Sequence, residues 1–351
     1  MRRTKAMTAQ LGLTERIFSS VSDRAIMRAI DGGLERVEAG LSREVVFADS
    51  IADVTGRYLL DAGGKRVRPL LTLLMAQLGA GTDDSVITAA EAIEITHLAS
   101  LYHDDVMDDA DQRRGVPSVQ SVWGNSVAIL TGDLLFARAS QLMAGLGERA
   151  IRLQAATFER LVLGQLHETV GPQAGDDPID HYFGVLADKT GSLIATAAHA
   201  GIVFSGAPEE FERPVVAFGE KIGVAFQLVD DVIDLAPSPE QTGKTLGVDL
   251  RAGVPTLPLL RLRELAESDR GARALVDRLD HEIAASDTLG TISANFLDAI
   301  AELREHQVTA RTREDAAQWA RDAVAAIDPL PSGAVKQALT RFATVVVERA
   351  R

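Results

Sequence analysis

Glu91 to Gly115, EAIEITHLASLYHDDVMDDADQRRG, is the stretch whose reading decides the fold. Laid on a helix, Asp104 and Asp108 stand one turn apart on one side, with Ser100 a turn further back and His97 seven residues before Asp104. Ile93, Ile95, Leu98, Leu101 and Val106 make the same segment core-forming, so a compact acidic cluster closes an apolar helix. Like charges this close repel one another unless protons or cations offset them. Carboxylate oxygens select hard cations such as Mg²⁺, which takes one or two carboxylates and completes its shell with phosphates. Arg113 and Arg114 follow at once, and the guanidinium fork matches phosphate oxygens. Taken alone, the stretch reads equally well as a solvated acidic helix end with a basic turn after it.

An echo further along shifts that balance. Phe226 to Leu235 reads FQLVDDVIDL, so the DDVMD of Asp104 to Asp108 is nearly repeated as the DDVID of Asp230 to Asp234. An apolar helical frame again carries aspartates at i, i+1 and i+4. Two such helices are suited to holding metal ions and presenting them to a diphosphate.

With these two motifs the chain resembles the trans-isoprenyl diphosphate synthase family, the polyprenyl synthetases, over most of its length from about Gly63 to Pro258. The resemblance implies an all-α fold, a single large helical bundle around a deep central cavity ringed at its mouth by the two motifs. Residues 1–22 are expected to be a flexible N-terminal segment and 23–351 the synthase domain.

Composition sets bounds that agree. The chain has 351 residues, enough for a large core, and helical periodicity runs through nearly all of it with no Gly/Ser-rich or Pro-rich linker. A formal net charge of −14 argues against nucleic acid as a partner and means that an anionic substrate needs local cations. Cysteine is absent, which excludes disulfides, thiolate nucleophiles and Cys-based zinc sites. No apolar run follows Arg2, Arg3 and Lys5, and the longest apolar stretch, Ser192 to Phe204, is too short to span a bilayer and is interrupted by His199. A cytoplasmic protein without a transmembrane segment is expected, with at most a transient membrane contact for product release.

Taken in order, Asp61 to Pro69 is DAGGKRVRP: two glycines, then Lys65, Arg66 and Arg68. Glycines let backbone approach a phosphate and the basic residues neutralise it, although a basic turn is more often solvated surface. Val122 to Met143 and Ile151 to Thr169 read as helices, the second with Gln165 and His167 as polar positions on an apolar pattern. Lys189-Thr190-Gly191 reads as a helix start, where a lysine and a hydroxyl could join free backbone N–H groups around an anion, or simply cap the helix. Ala236 to Pro258 is the longest irregular segment, and loops of this length are commonly functional. From Leu259 onward the pattern is helical and assigned to packing, including Arg349 and Arg351 at the end.

The resemblance assigns roles to these residues. It implies metal ligation by Asp104, Asp108 and Asp230, supported by Asp105, Asp231 and Asp234, around about three Mg²⁺ ions per site. It implies isopentenyl diphosphate on Lys65, Arg68 and His97, diphosphate contacts from Arg113 and Arg114, and the allylic diphosphate (geranyl, farnesyl or geranylgeranyl) on Lys189, Thr190, Gln227 and Lys244. It also implies a homodimer. One departure stands out: many relatives carry a second lysine just before the TLP, where this chain has Val254 and Pro255. The small residues Ala99 and Ser100, where short-chain relatives often carry aromatic rings, imply a product longer than geranylgeranyl diphosphate, of the kind used for quinone side chains. Three other readings are a short-chain synthase, a class I terpene cyclase and a non-catalytic subunit of a two-component synthase. The cyclase fits less well because its second motif usually mixes Asn, Ser and Glu, and the non-catalytic subunit because such subunits often lose aspartates that are all present here.

Overall fold

A computed structural model describes residues 15–18, 24–236, 247–251, 253–289 and 293–349. Among them the chain is all-α, with strands limited to a single short hairpin. In order come α1 (Arg24–Glu44), α2 (Ser50–Asp61), α3 (Val67–Ala76), α4 (Asp84–Met107), β1 (Gln112–Arg113), β2 (Val116–Pro117), α5 (Val119–Trp123), α6 (Asn125–Gly145), α7 (Glu148–Val170) and α8 (Pro178–Leu186). A π-helical turn, Ala187–Gly191, joins α8 to α9 (Ser192–Phe204). Then follow α10 (Glu212–Asp234), α11 (Val248–Arg251), α12 (Leu257–Ala266), α13 (Arg270–Leu289), α14 (Ala294–Glu305), α15 (Gln307–Ala326) and α16 (Ala334–Glu348).

Local sequence fixes many of the boundaries. Asp49 caps α2 by accepting from Ile51 N and Ala52 N, each at 3.0 Å, and Asp83 caps α4 by accepting from Val86 N at 2.9 Å. Asp177 caps α8 ahead of Pro178, which suits a first helical turn. The helix expected over 122–143 is broken at Gly124, whose φ of 85° ends α5 before α6 begins.

The chain divides into two compact units. The first comprises the described residues up to Leu161, Ser192–Glu220 and Val324–Phe342. Its core includes Leu73, Leu74, Ile95 and Tyr102, all fully buried. Here α9 crosses α3 so closely that a Cβ on Gly201 would stand 2.3 Å from the Thr72 carbonyl, and the Thr72 hydroxyl donates to Ala197 O at 2.9 Å. Tyr102 of α4 ties down α2 by accepting from Leu59 N and donating to Thr55 O.

The second unit comprises Val162–Gly191, the described part of Lys221–Ala323, and Ala343–Arg349. One buried cluster joins Leu235, Leu250, Leu259, Leu262, Phe296 and Ile300, and another joins Tyr182, Leu228, Val229 and Leu257. Among the described residues α6 alone is long and apolar enough to cross a membrane, by length and composition only.

Candidate functional site

Both acidic motifs sit at the C-terminal ends of their helices, α4 and α10. That end of a helix carries the negative pole of its backbone dipole, so carboxylates there are disfavoured unless cations offset them. The arrangement is costly for stability and suited to binding positive charge.

In the first unit Asp104 is half-buried and Asp108 exposed, and the Asp108 N–H donates to Asp104 O at 2.8 Å across the last turn. Asp105 points elsewhere: it is fully buried and accepts from Arg113 Nε at 2.6 Å. Arg113 lies on β1, paired with Val116 of β2, and Arg114 and Gly115 form the hairpin tip with φ of 55° and 74°. Positive φ at both tip positions marks the tight hairpin turn whose twist matches the strands, and a bulky Arg there is strained. Arg114 Nη1 donates to Leu59 O at 2.7 Å and to Gly63 O, so this guanidinium anchors the glycine loop.

The basic loop divides into exposed and interior members. Lys65 is exposed, and Arg68 is half-buried with Nε sealed and without a partner. Arg66, between them, is buried and paired with Glu38 at 2.8 Å and Glu94 at 3.2 Å. A Cβ on Gly64 would lie 2.4 Å from Arg66 Nη1 and 3.2 Å from Arg114 Nη2, so only glycine fits above these two guanidiniums. Burial first, then the charges of Arg68, Arg114, Arg113 and Arg66, hold His97 well below the usual imidazole range. Burial likewise lowers Arg114 to about 10. Lys65, Arg68, His97, Arg113 and Arg114 therefore gather around one small region that is short of negative charge.

In the second unit Asp230 is half-buried and accepts from Arg349 Nη2 at 3.0 Å. Asp231 is buried, accepting from Leu257 N at 2.9 Å and from the Tyr182 hydroxyl. Burial raises its carboxyl to about 7, against those hydrogen bonds. Asp234 is buried and accepts from Asp249 N at 3.2 Å, while its carbonyl accepts from Gly247 N at 3.0 Å.

Lys189 and Thr190 do not open a helix, contrary to the sequence expectation. They lie in the π turn between α8 and α9, where the helix continues and no free N-terminal N–H groups exist. The extra residue has a packing cause: a Cβ on Gly164 of α7 would sit 2.5 Å from Lys189 N, and one on Gly223 of α10 would sit 2.6 Å from Gly191 Cα. Two glycines admit the widened turn. Lys189 bonds Glu168, and both Thr190 and Gln227 are half-buried. Lys244 lies outside the described residues.

Ala99 is fully buried, and a Cβ on Gly132 of α6 would come within 3.2 Å of its carbonyl, so it stands at a close helix crossing. Ser100 is 8% exposed, its hydroxyl bonded back to His97 O at 2.9 Å. Deeper in the first unit a small cavity is lined by Ala92, Ile93, Thr96, Met143, Thr157 and Thr196. Ile93 lies eleven residues before Asp104 on the same side of α4, roughly 16 Å down the helix.

Sequence reasoning passed over Glu168, Tyr182 and Arg349. Each became visible only through its partner, respectively Lys189, Asp231 and Asp230.

Donor chemistry fits a hard divalent cation, since the motifs offer carboxylate oxygen and nothing softer. Among the described residues no three His, Cys, Asp or Glu side chains converge to enclose an ion by themselves. That suits Mg²⁺, which leaves positions for water and phosphate.

Comparison with known proteins agrees. The family model described as polyprenyl synthetase matches residues 50–289. Nonaprenyl diphosphate synthase of Mycobacterium tuberculosis is 40% identical over 352 aligned residues, covering 99% of each chain. The crystal structure of a polyprenyl synthase from Caulobacter crescentus, complexed with calcium and isoprenyl diphosphate, superposes with a TM-score of 0.82 at 30% identity, covering 95% of this chain and 99% of that one. Geranylgeranyl pyrophosphate synthase from Corynebacterium glutamicum, in the same kind of complex, gives 0.78 at 38% identity, covering 94% of this chain and 99% of that one.

Proposed function

The chain belongs to the polyprenyl synthetase family, and from that membership we infer that it is a trans-polyprenyl diphosphate synthase that makes a long chain. It condenses isopentenyl diphosphate with an allylic diphosphate. The observation that carries this reading is the pairing of two carboxylate clusters at helix C-termini with a cluster of cations around His97. The matched stretch draws on both units, and we treat 23–351 as one synthase domain.

We assign isopentenyl diphosphate to Lys65, Arg68 and His97, which is kept neutral and so able to donate one hydrogen bond without adding charge. Arg113, held at Nε, retains two terminal nitrogens for a diphosphate. Lys189, Thr190 and Gln227 are assigned to the allylic diphosphate, with Lys244. Asp104, Asp108 and Asp230 would hold Mg²⁺, which when bound offsets the charge of the departing pyrophosphate. The chain supplies no nucleophile; its task is to bind two anions and keep water from the reacting carbons.

Product length is assigned to the α4 wall below Asp104. Ser100 shares the face of Asp104, whereas Ala99, five residues back, lies about 140° around the helix. The cavity beneath Ile93, Thr96 and Met143 gives a growing tail a place to advance. The product suits a quinone side chain.

We also propose a homodimer, supported by α7, which exposes Ile151, Phe158, Val162, Leu166 and Val170 at helical spacing. Light scattering tests it. Incubation with isopentenyl diphosphate, farnesyl diphosphate and Mg²⁺, followed by sizing of the dephosphorylated products, tests the activity. A cyclised product, or none from the purified chain alone, would overturn the reading.

A further inference from the structure

We propose that the second aspartate of each acidic motif, Asp105 and Asp231, is a positioning residue that anchors the segment following its helix, and is not a metal ligand. The inference rests on the function proposed above and divides the labour within its two motifs.

Adjacent helical residues point about 100° apart, so a residue at i+1 cannot share the face of those at i and i+4. Asp105 is fully buried while Asp104 is half-buried and Asp108 exposed. Its carboxylate is committed to Arg113 Nε at 2.6 Å, and its carbonyl accepts from Ala110 N at 2.9 Å. Both bonds fix the turn from α4 into the hairpin. Gripping Arg113 at Nε sets the plane of the guanidinium and leaves the two terminal nitrogens to act on an anion.

Asp231 does the same work with different partners. It is 3% exposed, and its Oδ2 accepts from Leu257 N at 2.9 Å and from the Tyr182 hydroxyl. Leu257 is the first residue of α12, and the residue before it, Thr256, makes no side-chain cap. Asp231 therefore meets an N–H that the helix itself leaves without a partner, and places an anion at the positive pole of α12. Val254 and Pro255 lie just ahead of that point. Each motif thus offers its first aspartate outward and uses its second to tie down the next piece of chain.

Asn keeps the acceptor oxygen and removes the charge, which separates the two roles. The test measures the half-saturating Mg²⁺ concentration and the KM for each diphosphate in Asp105→Asn, Asp231→Asn, Asp104→Asn and Asp230→Asn. The first-position variants are expected to need about tenfold more Mg²⁺ or beyond, and the second-position variants to stay near wild type in Mg²⁺ while KM for a diphosphate rises. Asp231→Ala should be worse than Asp231→Asn, because only Asn rescues the Leu257 bond. An Mg²⁺ shift in Asp105→Asn or Asp231→Asn as large as in its neighbour overturns the proposal. Hydrogen exchange of the Leu257 amide reads the anchor without turnover: Asp231→Ala should lose protection there and Asp230→Ala should keep it, and the reverse pattern also overturns it. A wild-type protein without prenyl transfer would sink the proposed function while leaving the exchange result to judge the anchor.

Discussion

Arg349 donates from Nη2 to Asp230 Oδ1 at 3.0 Å and lays its guanidinium over the Phe226 ring at 4.8 Å from the centroid. Asp230 and Phe226 are one turn apart on α10, so a residue just past the end of α16 touches two points of one helical face. Arg349 therefore occupies the carboxylate assigned to Mg²⁺. We expect Arg349→Met to lower the half-saturating Mg²⁺ concentration by a few-fold at most, since a partly exposed pair is worth about 0–1 kcal/mol. An Mg²⁺ titration of activity, with the aromatic contact kept by the Met side chain, measures it.

The two cation sets should serve different substrates. Arg68→Ala is expected to raise KM mainly for isopentenyl diphosphate, and Lys189→Ala mainly for the allylic diphosphate. Each loses a charge-assisted contact worth about 1.5–3 kcal/mol. Steady-state kinetics with one substrate varied at a time distinguishes them, and equal effects on both substrates would count against the assignment.

The close approach of Gly223 to Gly191 makes Gly223→Ala a packing test of the π turn. A methyl group would sit 2.6 Å from Gly191 Cα, a backbone atom that cannot swing aside. We expect a loss of about 1–3 kcal/mol in stability, together with weaker allylic binding as Lys189 is displaced. Thermal unfolding gives the first quantity and KM the second.

Glu91 couples stability to pH. It is 4% exposed on α4, and burial raises its carboxyl to about 7. A Cβ on Gly40 of α1 would fall 1.6 Å from its Oε1, so α1 passes directly over it. Because the folded pKa is raised, the stabilising protonated form is fully present below the unfolded value near 4.5 and is lost as pH rises through about 7. Glu91→Gln should therefore stabilise the protein at pH 8, by up to about 3 kcal/mol, and have little effect near pH 4.5. Melting curves of both proteins across that window check the sign.

Product length should respond to Ser100 before Ala99. Ser100→Phe puts a ring on the Asp104 side of α4 and is expected to shorten the product. Ala99→Phe presses a ring into the crossing with α6 at Gly132 and should mainly destabilise, by about 1–3 kcal/mol. Chromatography of dephosphorylated products, alongside melting curves, compares the two.

The sequence by itself determined the helical class, the two acidic motifs and the basic loop, because each is a local pattern. Apolar residues recur at the helical period around Asp104 and Asp230, and the spacing i, i+4 places carboxylates on one side whatever the helix packs against. It could not assign Arg66, whose neighbours in the chain look the same but whose partners, Glu38 and Glu94, lie 28 residues away on either side. Nor could it see that Lys189 sits in a π turn, since that turn exists because Gly164 and Gly223, distant in sequence, let backbone come close. The tertiary structure alone decided which aspartate of each motif faces inward and what it holds. Asp105 and Asp231 look like their neighbours in one dimension, and only the burial of one helical face, with Arg113 and Leu257 waiting there, makes them different.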